Sequence, residues 1–245
     1  LGLGANMVKA MRYWLQAVRL TEEPLSGKRN QTLTPLGEVI WDNDKYMEEI
    51  GTLWLLHYEL TSNKTEATAW YYFFNEFKPT EFSYEDFKTH IRNFLWEHER
   101  EVADSSIEGD YNCILGTYLS RIKTNPKKVS PEDNIDCPLG ELGLIDIVDR
   151  KKRLYKKRQP KKDTLPPLIL LAIILDQAKG EKSVRISSIQ NDVCNAGKTF
   201  NLDVILLTNL LYRIELLGYI KVVRTAGLDV IEIKTDMGFL DCVRE

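Results

Sequence analysis

Between Leu165 and Lys234 the apolar residues change period in an order that few folds share. Leu165 to Ala178 is a nearly continuous apolar run of helical length, and Pro166 and Pro167 mark its start. Val184 to Ile186 reads as a short strand, and Ser187 or Ser188 is placed to cap a second helix running to about Asn195. Asn201 to Leu217 holds a third helix, with Asp203 at its start and Gly218 as its stop. Tyr219 to Arg224 and Asp229 to Lys234 flank Thr225-Ala226-Gly227-Leu228 as two strands. Helix, strand, helix, helix, hairpin is the order of a winged helix. Its third helix is an unusual DNA reader, because VILLTNLLYRIELLG is apolar on most faces. Thr208, Asn209, Tyr212 and Arg213 are its good exposed donors, and Glu215 would repel phosphate. The module therefore fits dimerisation or partner docking as well as it fits DNA.

The first twenty residues, LGLGANMVKAMRYWLQAVRL, read as part of the same layout. Gly2 and Gly4 permit a turn and Asn6 is placed to cap a helix. Met7, Met11, Trp14 and Val18 share one helical face and are expected to be buried. Lys9, Arg12, Tyr13 and Gln16 share another, with Arg19 a turn further on. A basic, hydrogen-bonding face opposite a buried stripe is what a recognition helix needs; a merely solvated face is the plainer alternative. A polar hairpin between Leu20 and Leu33 follows, with Lys28 and Arg29 at its tip. Thr34 then caps a new helix with Pro35 in its first position. Helix face and wing tip could meet one duplex together, at base edges and phosphates respectively. The G-x-G near the start is not a dinucleotide fingerprint, since Met7 occupies the third glycine position. The expected helices ahead of this one would lie upstream of Leu1.

Charge divides the chain more sharply than its net value of −3 suggests. Glu38 to Asp110 carries a balance of −11, whereas Arg150 to Lys162 holds nine basic residues and no acidic one. RKKRLYKKRQPKK follows a segment of strand character, Leu142 to Val148, and the two could pair as a hairpin. Lys151, Lys152, Arg153, Lys156, Lys157, Arg158, Lys161 and Lys162 would then track phosphates by counterion release, or would simply be solvated. Asn125 to Gly140 has the composition of a linker.

The acidic middle reads as four helices: Tyr46 to Leu60, Thr65 to Phe77, Ser83 to Glu101 and about Tyr111 to Ile122. Ser83 and Asp86 form a capping-box start, and Phe87, Ile91, Phe94 and Leu95 form the buried stripe behind it. The aromatic helix TEATAWYYFFNEF contains nothing basic, so it is assigned to the core rather than to base stacking. His57, His90 and His98 lack metal spacing and read as structural or solvated. Glu48-Glu49 and Glu85-Asp86 suit helix starts without acid–base chemistry. Four scattered cysteines without a C-x-x-C exclude a zinc ribbon or thioredoxin motif and fit free thiols in a reducing cytoplasm. No apolar run reaches membrane-spanning length, and no signal peptide opens the sequence. No nucleophile–base pair, phosphate loop or metal cluster has diagnostic spacing, so neither catalysis nor a cofactor is expected.

The stretches LGLGANMVKAMRYWLQA, LTPLGEVIW, GTLWLLHYEL, WYYFFNEF and RTAGLDVIEI resemble a bacterial family of domains of unknown function, family four thousand and seven. The resemblance covers most of the chain. It implies gene neighbourhoods shared with phosphorothioate DNA modification and phage defence, including enzymes similar to phosphoadenosine-phosphosulfate reductases. The family brings no established catalytic residues. The expected fold is mainly α (α+β), with winged helix-turn-helix modules at both ends (1–41 and 165–245), a helical middle (42–124), and a linker with basic hairpin (125–164). The expected function is a non-enzymatic, cytoplasmic protein that binds double-stranded DNA and targets or regulates a modification system. The alternative is an adaptor docking a sulfurtransferase-like partner, with a second copy met through the C-terminal module.

Overall fold

A computed structural model describes residues 4–24, 30–119, 137–225 and 228–245. It is mixed α and β, mostly helical, with three small antiparallel sheets among the described residues. The first helix, α1 (Ala5–Ala17), starts two residues earlier than expected. The Gly4 carbonyl already accepts the Val8 amide, so Gly4 is the N-cap and Asn6 lies inside the first turn. Strands β1 (Thr21–Glu22) and β2 (Thr32–Leu33) then pair antiparallel, Thr21 opposite Leu33. Helix α2 (Pro35–Asn43) begins as its sequence requires: the Thr34 hydroxyl accepts the Gly37 amide at 3.0 Å, and Pro35 takes the first position.

The middle of the chain is built on α3 (Ile50–Ser62), which is buried on every side from Thr52 to Thr61. It begins later than Tyr46 because the Asp44 carboxylate takes the Glu48 and Glu49 amides and Met47 turns to a φ of 55°. Helix α4 (Thr68–Asn75) supplies Trp70 to Phe74, all buried, which settles the aromatic segment as core. Phe73 stacks on Phe77, and Phe82 and Phe87 pack against both edge to face or tilted. After β3 (Glu81–Phe82), helix α5 (Tyr84–Glu97) opens on the anticipated capping box and buries the four anticipated residues. Replacing Ser83 with alanine removes one half of that box and is expected to cost about 1 kcal/mol in a denaturant titration. Helix α6 (Asp104–Tyr118) starts a good turn before Tyr111, and Ile107, Tyr111, Ile114 and Tyr118 form its buried stripe. Its first residue, Asp104, pairs with Lys88 and Arg92 of α5.

Part of the segment read as linker is packed. Pro138–Leu142 is a 3-10 helix that buries Leu139 and Leu142. Strands β4 (Ile145–Asp149) and β5 (Leu154–Lys157) form the expected hairpin, and β3 pairs with the other edge of β5, giving the order β3-β5-β4. The basic hairpin is thereby stitched to the aromatic core.

The last third runs α7 (Pro167–Ala178), β6 (Ser183–Arg185), α8 (Ile186–Asn191), α9 (Ala196–Thr199), α10 (Val204–Leu216), β7 (Ile220–Thr225), β8 (Leu228–Ile233) and α11 (Phe239–Arg244). Asp203 caps α10 through the Leu206 amide, and Gly218 follows it at a φ of 85°. The sheet order is β6-β8-β7. The helix expected to run to Asn195 stops instead at Asn191. The Cys194 amide is drawn to the Asn75 side chain of α4 at 2.6 Å, and Asn195 caps a separate turn. The apolar core continues from Ala17 in α1 to Cys242 in α11. No helix among the described residues is long and apolar enough to cross a membrane.

Candidate functional site

Two basic surfaces follow from the sequence, and the fold treats them differently. On α1, Lys9 is exposed and Gln16 half-buried. Arg12 forms an ion pair with Glu23, just past β1, and the Gln31 amide donates to its carbonyl. The Tyr13 hydroxyl donates to the Glu66 carbonyl at 2.8 Å, and burial with nearby acidic charge pushes its pKa up. Arg19 donates to the Glu59 carboxylate at 2.8 Å and to the Ser62 hydroxyl and carbonyl at 3.2 Å. Burial pushes the Glu59 carboxyl up, and Arg19 opposes that by favouring the carboxylate. Three of the five expected contact residues thus hold α1 to its neighbours. The expected buried stripe holds at Trp14 and Val18 but not at Met7 and Met11, which are about 40% exposed. The helix joins the core with its second half, while Met11 lines an open groove with Asn112, Cys113 and Gly116 of α6. Lys28 and Arg29 lie outside the described residues.

On the β4–β5 hairpin the opposite holds at the tip. Arg150, Lys151, Lys152 and Arg153 are four consecutive exposed cations. Asp149 sets the turn by accepting the Lys151 and Lys152 amides at 2.8 and 3.1 Å, while Arg153 takes a φ of 49°. None of the four side chains forms an ion pair among the described residues, and the same is true of exposed Lys161 and Lys162. Further down, Lys156 pairs with Glu81 at 3.0 Å and Arg158 with Asp146 at 3.0 Å.

Lys157 departs most from a solvated charge run. Its amine donates to the carbonyls of Phe73 and Phe77, at 2.6 and 2.5 Å, and sits over both rings. Burial pulls its pKa down to about 7, helped by the charge of Lys198. The alternation of β5 places it on the core side, but its partners come from α4 and the loop after it. No sequence signal joins these segments.

The histidines carry structure. His57 is fully buried between Tyr118 and the Thr199 carbonyl, each at 2.7 Å. His90 and His98 face the carbonyls one turn back on α5. All four cysteines are free thiols. Among the described residues, no three His, Cys, Asp or Glu side chains gather as a metal site.

The whole chain, residues 1–243, matches the family described as "Protein of unknown function (DUF4007)", and it belongs to that family. No curated protein matches it. Its fold is similar to a magnesium ion-bound SspB crystal structure, with a TM-score of 0.81 and 25% identity over 95% of this chain and 72% of that one. A second SspB crystal structure gives a TM-score of 0.80 and 26% identity over 99% and 74% of the two chains.

Proposed function

We propose that this member of the DUF4007 family binds double-stranded DNA in the cytoplasm, as a targeting or regulatory component of a phosphorothioate-type modification or defence system. The exposed tip of the β4–β5 hairpin carries the reading: four adjacent cations without ion pairs among the described residues, on a short ribbon anchored at its other edge by β3. Such a ribbon contacts phosphates without reading sequence, and each neutralised phosphate releases counterions. Lys9, Lys161 and Lys162 add exposed charge, while Arg12, Tyr13 and Arg19 serve the fold first. The order α7, β6, α8, α10, β7–β8 supports a winged-helix assignment for the C-terminal module, and α1, β1–β2 and α2 support a partial one at the other end.

The function proposed is binding. A gel shift with a supercoiled plasmid and a duplex oligonucleotide at 50 mM salt tests the reading. Binding is expected to weaken steeply with salt, and Lys151→Glu with Lys152→Glu is expected to lower affinity by at least about tenfold. No binding at low salt overturns the proposal. A change in plasmid topology with magnesium would overturn the purely binding role.

One observation favours a docking role for the C-terminal module. Its helix α10 exposes Val204, Ile205, Tyr212 and Leu216, the last at 87%, and Leu217 just after it is exposed too. An apolar helix face of that kind suits a protein partner, either a sulfurtransferase-like enzyme of the same system or a second copy. Ile205→Glu with Leu216→Glu would break such a complex and leave DNA affinity intact.

A further inference from the structure

A polar cleft of about 400 Å³ opens where the end of α4, strand β5 and the turn α9 meet. Its charged lining is Glu76, Lys78, Lys157, Arg158, Lys198 and Asp203. Four cations from three separate parts of the chain face two carboxylates there. The carboxylates have other duties. Asp203 accepts the Leu206 amide and the Gln159 side chain, and Glu76 lies against the Tyr71 hydroxyl. Arg158 is committed to Asp146. Lys78 and Lys198 form no ion pair among the described residues, and Lys157 lines the same cleft. We infer that this cleft is a binding site for a phosphate group, held by Lys78 and Lys198 and completed by the amine of Lys157.

The geometry of Lys157 gives this site a property that a surface patch of lysines lacks. A neutral amine has two N–H bonds, and the Phe73 and Phe77 carbonyls take two. An ammonium has a third. A phosphate oxygen in the cleft supplies an acceptor for that third proton and offsets the burial that otherwise opposes the charge. With its ordinary value already pulled down to about 7, Lys157 exchanges between the two states at neutral pH. Filling the cleft therefore draws a proton onto Lys157. The negative charge of the bound phosphate offsets the repulsion from Lys198 that disfavours the ammonium form of Lys157 in the empty cleft.

The chemistry is common to a free phosphate and to the backbone of a nucleic-acid strand, and the test separates these sources. The full chain is treated at pH 7 with limiting acetic anhydride, and acetylation of Lys157 is read by peptide mass spectrometry against exposed Lys9. Only the neutral amine reacts, and a rise of one pKa unit would cut its neutral fraction at pH 7 by about fivefold. Inorganic phosphate or a duplex oligonucleotide is expected to slow labelling of Lys157 at least that much and to leave Lys9 labelling unchanged in the phosphate arm. Protection by phosphate alone assigns a free-phosphate ligand, and protection by the duplex alone or by both assigns a site that accepts a strand. Lys78→Ala with Lys198→Ala, two changes outside the core, is expected to abolish protection. No protection by either probe, or protection that survives the double variant, overturns the site. The phosphate arm is independent of DNA binding, and the gel shift is independent of Lys157 labelling, so each proposal can fail without the other.

Discussion

Acid is expected to destabilise this protein through His57, beside carboxylates such as Asp44 and Asp86 that hydrogen bonds hold below their usual range. The ring is fully buried, and its partners fix its tautomer. The Thr199 carbonyl can only accept, so Nε2 carries the proton, and the Tyr118 hydroxyl donates to the lone pair on Nδ1. Desolvation opposes a charge there and pulls the pKa from 6.5 down to about 4. Between those values the unfolded chain binds a proton that the folded chain refuses. Stability due to this group is therefore complete above pH 6.5 and falls as pH drops towards 4. The loss is about 3 kcal/mol below pH 4. Urea titrations from pH 7 to 4 check the direction, and the imidazole proton resonances of His57 should not titrate above pH 5. His57→Leu should remove its share of this pH dependence. It should also cost about 2–5 kcal/mol at pH 7, because the Tyr118 hydroxyl and the Thr199 carbonyl would be left buried without this partner. A variant as stable as the original chain at pH 7 would show that the three groups do not act as a unit.

The second large effect comes from two glycines that let backbones touch. A Cβ on Gly197 would lie 2.1 Å from the Gln190 carbonyl oxygen, and one on Gly37 would lie 2.1 Å from that of Leu20. Both obstacles are main chain, so no rotamer change relieves them. Gly197→Ala forces α9 away from α8, and with it Thr199, the acceptor of His57. Gly37→Ala forces α2 off the end of α1. Each is expected to cost about 3 kcal/mol or more. Gly109 in α6 is the control, since nothing lies within 4 Å of its would-be Cβ. There alanine should stabilise the chain by up to about 1 kcal/mol through helix propensity alone. Thermal unfolding of the three variants gives the order directly, and a harmless Gly197→Ala would contradict the close approach.

Local chemistry was legible where the residues that decide it are close in sequence. Ser83 with Asp86, Thr34 with Pro35, and Asp203 three residues before Leu206 announce helix starts, because a cap and the amide it serves lie within one turn. The alternation around Thr225 to Leu228 announces a hairpin for the same reason. The candidate interface was less legible. A basic residue looks alike in sequence whether it meets solvent, as Lys151 does, an acid, as Arg158 does, or two buried carbonyls, as Lys157 does. The partners of Arg19 and Lys157 lie on α3 and α4, dozens of residues away. The early end of α8 has a similar cause, an amide claimed by Asn75 across the core.

The sequence by itself determined the kinds and order of the elements in the final third, α7, β6, α8, α10 and the β7–β8 hairpin. It also determined that the aromatic run of α4 would be core, because period and composition are properties of neighbouring residues. Only the tertiary structure decided which charges are taken up within the fold. It set the tip of the β4–β5 hairpin free, tied Arg12 and Arg19 into ion pairs, and gathered Lys78, Lys157 and Lys198 from three segments into one cleft. That sorting depends on desolvation and on distances across the fold, neither of which is written in the local pattern of the chain.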